Sequence, residues 1–572
     1  MSDDARRSAG WFADDGKNGF IARHHMRQIG LAREDLARPI IGIANSWSEL
    51  TPCNAHLRAV AEHVKRGVTA SGGTALEFPV MSLGEPLMRP TTMFYRNLMA
   101  MEVEETVRAN PLDAVVLLGG CDKTTPALLM GAASVDIPTI VLTGGPMLNG
   151  RYRGTRVGSG TDIWRMSEGR RSGTVTDRDF DEFEACLARS AGHCMTMGTA
   201  STMACLVEAM GLQLPGAASL PAVDARRSVL ARQTGARAVA LAEGGVRLSS
   251  LLTRNAFENA IVVNAAIGGS TNAVLHLLAI AGRAGVPLDL DDFDRLGAVI
   301  PLLVDLMPSG RFLMEEFAEA GGVQAVVEAL GDHLHRDVRC VDGLTVGERA
   351  HGTPIVDPEV IRSLATPVLP AGSATVVLRG NVCPGGAVLK PSAADPNLLR
   401  HTGPALVYDS LDEYLAVAED DDRPVTAGTV LVVRNLGPRG YPGMPELGNF
   451  PLPKRLLDAG VTDMVRISDA RMSGTAFGTV VLHVAPEAAV GGPLALVQTG
   501  DTVILDVAAR ELRIDVSDQE LDERRTRWRP PGKTALRGWA RLYAAHVMQA
   551  DRGVDLDFLH GCTPASSVAR AF

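Results

Sequence analysis

The chain has 572 residues, of which 46% are hydrophobic, 21% charged and only 4% aromatic, and its formal net charge is −10. That length predicts about two to four domains. The acidic balance, with no long basic run, excludes nucleic acid as an electrostatic partner, and the scarcity of aromatics excludes a stacking platform for single strands.

The opening segment, MSDDARRSAGWFADDGKNGF, is polar and lacks the apolar core of a signal peptide, and no apolar run reaches membrane-spanning length. The expectation is a soluble cytoplasmic protein without a membrane partner. The first third then alternates apolar runs with helical patterns. Residues 39–45 read as a buried strand, 55–70 as a helix and 75–81 as a second strand. A helix over 92–110, a strand over 113–119, a helix over 126–134 and a strand over 138–143 follow. This βαβαβα order predicts a doubly wound parallel sheet with helices on both faces. The stretch 179–335 is mostly helical in pattern. Beyond Pro367 the runs at 374–379, 429–434, 464–468, 479–484 and 502–516 are β-like and separated by Gly/Pro-rich turns. The chain therefore reads as α/β, with an N-terminal domain over 1–365 and a β-rich, barrel-like α/β domain over 366–572.

The unusual side chains fall at the ends of the predicted strands. Cys53 follows the first strand in SELTPCNAH, Glu85 the second in SLGEPLMRP, and Cys121, Asp122 and Lys123 the third in LLGGCDKTTPA. In an open parallel sheet ligands bind beyond the carboxyl ends of the strands, so thiols, carboxylates and an amine are delivered to one crevice. Each piece alone reads more readily as a packed cysteine, a glycine turn or a helix cap; their coincidence reverses that preference and favours a site. GGCDKT lacks the glycine spacing of a phosphate-binding loop. Cys194, in GHCMTMGTAST, lies among small residues at a break between helices. Cys53, Cys121 and Cys194 lack zinc-ribbon spacing, and three dispersed thiolates suit an iron–sulfur cluster with one open iron. Cys186, Cys205, Cys340, Cys383 and Cys562, the rest of the eight cysteines, read as structural. In the second half, Glu446 sits in RNLGPRGYPGMPELGNF and Ser473 in RISDARMSGTAFGT, both Gly-rich loops after strands; a solvated carboxylate and plain turn chemistry are the alternatives.

Taken together, TPCNAH, GGCDKTTPA, GHCMTMGTAST, GGSTNAVLH, the PGMPE loop and the SDARMSGT loop resemble the dihydroxy-acid and sugar-acid dehydratase family, which includes phosphogluconate dehydratase, over residues 19–561. The resemblance implies an N-terminal domain that carries the cofactors and a C-terminal domain that closes the site. It implies cluster ligation by Cys53, Cys121 and Cys194, Mg²⁺ ligation by Glu85, Asp122, Lys123 (carbamylated) and Glu446, and Ser473 as the base. It also implies a homodimer or homotetramer acting on a small hydroxy acid.

Dehydration takes a proton from C2 and expels hydroxide from C3, and each half needs help. Mg²⁺ would offset charge building on the carboxylate and C2 oxygen, and an open iron would assist the poor leaving group. SLGEPLMRPTTM and GHCMTMGTAST look more like pentonate and hexonate dehydratases, which favours an aldonate such as arabinonate or xylonate and a [2Fe–2S] cluster, with [4Fe–4S] the alternative. The rival substrate is dihydroxyisovalerate, used in branched-chain amino-acid biosynthesis. A phosphogluconate enzyme would need a basic cluster for the phosphate, and none stands out. A nucleotide- or zinc-binding regulator on the same sheet would leave Glu446, Ser473 and Cys194 without roles. His56, Thr161, Asp162 and His193 are candidates for reading the substrate's tail.

Overall fold

The computed structural model describes residues 6–420, 425–532 and 536–562. The outermost parts of the two expected domains, 1–5 and 563–572, lie outside the described residues. Four strands, β1 (Ile40–Asn45), β2 (Thr74–Pro79), β3 (Ala114–Gly119) and β4 (Thr139–Thr143), form an all-parallel sheet in the order β2-β1-β3-β4. β1, β3 and β4 are buried throughout, which is why they read as unbroken apolar runs rather than alternating ones, while β2 lies at an edge and is half-exposed.

The helix Leu57–Ala70 packs with Ala225–Gly244, and Thr92–Ala109 packs with Thr124–Val135. Right-handed crossovers put the two pairs on opposite faces, because the chain moves outward from β1 to β2 and then back across to β3. The strand order therefore reverses between β1 and β3, where the loops leaving neighbouring strands part and open a crevice. A small hairpin, β5 (Gly150–Tyr152) with β6 (Thr155–Val157), precedes the helical stretch. That stretch includes Thr161–Arg171, Thr199–Ala209, Arg254–Ala266 and Asn272–Ala284.

The second half forms one eight-stranded mixed sheet. Its strands are β7 (Val376–Leu378), β8 (Gly386–Leu389), β9 (Arg400–Tyr408), β10 (Val430–Val433), β11 (Arg466–Ser468), β12 (Val480–Ala485), β13 (Thr502–Asp506) and β14 (Glu511–Ile514), in the order β14-β13-β9-β10-β11-β12-β8-β7. A bridge between Arg379, just past β7, and Glu511 of β14 brings the two edges together, so the sheet is nearly closed. Closure leaves little free edge and surrounds an apolar core that includes Val376, Val430, Val432, Val481 and Leu505.

Two strands differ from the sequence reading. β8 is four residues between Gly/Pro turns, and β9 carries His401, Gly403 and Pro404, so neither shows a β pattern. The run 502–516 is a hairpin, broken by a turn in which Arg510 has φ 59°. After the barrel, the chain returns to the N-terminal half. Trp539 Nε1 donates to Phe94 O (3.0 Å), Arg96 donates to Val554 O (2.9 Å), and Arg283 pairs with Asp555 at 2.6 Å, both partners fully buried. No helix among the described residues is long and apolar enough to cross a membrane.

Candidate active site

Cys53 sits in a single helical turn, Pro52–Asn54, after β1, and Cys121 follows Gly119 and Gly120 at the end of β3. The two strands are neighbours, which brings the thiols of Cys53 and Cys121 close enough to perturb one another. Gly120 permits this approach: a Cβ there would lie 3.1 Å from Asn54 Oδ1 and 3.4 Å from Cys53 O. Cys194 comes from the loop before the helix Thr199–Ala209. That loop is tied to the one after β4, since His193 N donates to Gly145 O (3.0 Å) and Met147 N to His193 O (2.8 Å). The contact with Cys121, then burial, raises the Cys53 thiol well above its ordinary range, and Cys194 and Asp122 add to the effect. Burial, then Asp122, pushes Cys194 up to about 12. Thiols this hard to ionise are poor nucleophiles, whereas a bound metal would take their protons' place.

Beside the thiols lies a cage of carboxylates. Lys123 is fully buried, and its Nζ is 2.7 Å from Glu446 Oε1, 3.0 Å from Glu85 Oε2 and 3.4 Å from Asp122 Oδ2. Burial and Arg471 disfavour its charge, but Glu446, Glu85 and Asp122 outweigh them and leave the ammonium above its ordinary pKa. Burial alone would raise Glu85, yet Lys123 and Arg471 hold it below the usual carboxylate range, whereas for Glu446 burial prevails and its pKa is raised. Among the described residues no three His, Cys, Asp or Glu side chains surround a single ion-sized point, because the three carboxylates surround the Lys123 ammonium instead. The donor set still fits a hard divalent cation: three carboxylates converge where a positive charge already sits.

Ser473 is half-buried, and its Oγ is 2.9 Å from Thr475 Oγ1. Its loop lies against the start of the helix Thr199–Ala209. A Cβ on Gly474 would come within 2.6 Å of Thr199 N and 2.7 Å of Ser270 Oγ. Asn272 joins this loop to the cage: its Nδ2 donates to Met472 O (3.2 Å) and to Glu446 Oε1 (2.9 Å). All eight candidate residues are thus carried by loops that meet between the first sheet and the barrel.

The candidates for reading a substrate tail fare differently. Thr161 Oγ1 donates to Thr475 O (2.8 Å), which ties it to the Ser473 loop. Asp162 accepts from Gly158 N (2.7 Å), a local turn contact. His56 donates from Nε2 to Gly144 O (2.8 Å) and His193 from Nδ1 to Cys194 O (3.0 Å), so each ring anchors backbone near the thiols. Burial first of all pushes His193 down to about 4. Sequence reasoning missed Arg471, Asn272, Thr91 and Thr92. Arg471 and Asn272 lay inside motifs already singled out, SDARMSGT and GGSTNAVLH, but nothing in their spacing marked them as neighbours of Glu446. Thr91 donates to Glu85 Oε1 (2.8 Å), and Thr92 contacts Glu85 Oε2.

Comparison with known proteins shows the family of the chain. The family described as dihydroxy-acid/6-phosphogluconate dehydratase matches with its N-terminal part over residues 38–349 and its C-terminal part over 359–554. The chain is 56% identical to the L-arabonate dehydratase of Azospirillum brasilense, over 97% of each chain. It is 53% identical to the L-arabinonate dehydratase of Rhizobium leguminosarum bv. trifolii (97% of this chain, 96% of the relative). It is 51% identical to the 6-deoxy-6-sulfo-D-gluconate dehydratase of Pseudomonas putida (97% and 96%). Two family matches that together span both halves of the chain, and relatives alike over nearly their whole length, leave one conclusion: the chain belongs to the dihydroxy-acid/6-phosphogluconate dehydratase family.

Proposed function

We propose that this protein removes water across C2 and C3 of a sugar acid, an aldonate such as arabinonate or xylonate, to give a 2-keto-3-deoxy acid. The observation that carries the reading is the convergence of three thiols, three carboxylates around Lys123, and the Ser473 loop. The substrate class is supported by the relatives, which are named for a five-carbon acid and a sulfonated six-carbon acid.

In this reading Cys53, Cys121 and Cys194 hold a [2Fe–2S] cluster, and Glu85, Asp122, Lys123 and Glu446 hold Mg²⁺. When bound, the cluster supplies a Lewis acid for the departing C3 hydroxyl and Mg²⁺ supplies charge that steadies the carboxylate and C2 oxygen. Lys123 serves as an oxygen ligand once carbamylated. Exchanging an ammonium for a carbamate plus a divalent cation leaves the net charge of the cage unchanged, so the surrounding carboxylates need no new counter-charge. Ser473 Oγ takes the C2 proton, oriented by Thr475 Oγ1 at 2.9 Å. Proton and hydroxide leave as water, and the enol becomes the keto acid. A serine is a weak base at its ordinary pKa and needs a nearby cation to favour the alkoxide; Asn272 ties the Ser473 loop to Glu446 of the cage.

The test is 2-keto acid formation by anaerobically purified protein supplied with Mg²⁺, offered pentonates, hexonates and dihydroxyisovalerate side by side. Preference for an aldonate supports the proposal; preference for dihydroxyisovalerate overturns the substrate class.

A further inference from the structure

Arg471 is fully buried, and every nitrogen of its guanidinium is committed. Nε donates to Met444 O (2.6 Å), Nη1 to Glu446 Oε1 (2.8 Å) and Nη2 to Thr91 Oγ1 (3.2 Å). Its backbone is tied to the same loop, since Arg471 N donates to Pro445 O (3.1 Å) and Gly448 N to Arg471 O (2.7 Å). A guanidinium can only donate. Thr91 Oγ1 therefore accepts from Arg471, and its single proton is left for Glu85 Oε1 at 2.8 Å. The bonds run one way, from Arg471 through Thr91 to Glu85. Glu85 lies in the loop after β2 of the first sheet and Glu446 in the barrel half, so one side chain reaches a carboxylate from each, Glu446 directly and Glu85 through Thr91.

We infer that Arg471 is the positioning residue that assembles the cation site, holding Glu446 directly and Glu85 through Thr91 so that the two halves present their carboxylates to one ion. This rests on the proposed function, in which those carboxylates bind a divalent cation. Charge alone does not describe the role. A lysine would keep the charge and lose the planar fork that reaches three acceptors in different directions. Thr91 also accepts from Met93 N (3.4 Å) at the start of the helix Thr92–Ala109, so the relay is anchored to a rigid element.

The experiment uses the full-length, iron-loaded protein with Mn²⁺ as a spectroscopic probe of the cation site, alongside the Mg²⁺ concentration for half-maximal rate. Arg471→Lys and Thr91→Val are expected to weaken Mn²⁺ binding and raise the Mg²⁺ requirement at least ten-fold, with iron content unchanged. Thr91→Ser, which keeps the hydroxyl, restores both. The double variant Arg471→Lys/Thr91→Val is expected to bind Mn²⁺ more tightly than the two single losses added together would give, because both break the same chain. Thr91→Val carries the test alone if Arg471→Lys does not fold. Wild-type Mn²⁺ affinity in the folded variants overturns the role of Arg471 while leaving the proposed function standing. A wild-type protein that binds no divalent ion overturns the cation site itself, and this inference with it.

Discussion

Lys123 Nζ and Glu446 Oε1 lie 2.7 Å apart although 323 residues separate them along the chain. The first belongs to the loop after β3 of the parallel sheet, the second to a loop of the barrel half. Their contact means the cage exists only when the two halves are together, and a substrate bound there would sit at the seam.

The role given to Ser473 predicts a clean separation of chemistry from cofactor binding. Ser473→Ala should lower turnover on the order of a thousand-fold or more while the visible absorbance of the cluster stays intact. Substantial residual turnover would remove Ser473 from the role of base.

Gly474 tests the placement of that serine. Its alanine Cβ would meet Thr199 N at 2.6 Å, a backbone atom that opens a helix and cannot readily give way. Gly474→Ala should therefore shift Ser473 and lower kcat about ten- to a hundred-fold with iron content preserved. Unchanged kcat would mean the loop has room that the packing denies it.

Cys121 should be indispensable for iron. It is buried between Cys53 and the start of the helix Thr124–Val135, so a serine would offer a poor ligand in a site with little freedom to recruit another. Iron analysis of purified Cys121→Ser should show loss of bound iron, and full iron content would refute ligation.

Carbamylation of Lys123 predicts a dependence on carbon dioxide. Protein depleted of CO₂ should lose Mg²⁺-supported activity and regain it on addition of bicarbonate with Mg²⁺, whereas Lys123→Met should stay inactive under both conditions. Activity indifferent to CO₂ would exclude the carbamate.

Lys390 gives a pH prediction away from the cage. Its Nζ donates to Gly268 O (2.6 Å), and burial pushes its pKa down from 10.5 to about 7. Between these values the unfolded chain holds a proton that the folded chain has released, so stability rises with pH across about 7 to 10.5; below 7 the full penalty of burying the charge is present. Lys390→Met removes the amine. Its gain in melting temperature over the unmodified protein should be largest near pH 6 to 7 and shrink toward pH 10, from a difference on the order of a few kcal/mol. A gap that does not vary with pH would show that the amine is not neutralised on folding.

The sequence by itself determined the parallel sheet and the approximate limits of its strands, because IIGIAN, AVVLLG and TIVLT are buried on both faces and leave no other use for such apolar runs. It also marked which loops carry thiols and carboxylates, since Cys53, Glu85 and the Cys121–Lys123 group each follow a strand of the first sheet and Cys194 and Glu446 lie in Gly-rich breaks. What only the tertiary structure decided are relationships between distant residues. β9 runs centrally through the barrel with Pro404 in it, because partners on both sides hold a strand that local propensity would not choose. Thr91, Asn272 and Arg471 are ordinary cap, helix and loop residues in sequence; folding turns each toward Glu85 or Glu446. The physical reason is that propensity and periodicity act over a few residues, whereas a buried charge takes its partners from whatever part of the chain the fold brings within about 3 Å of it.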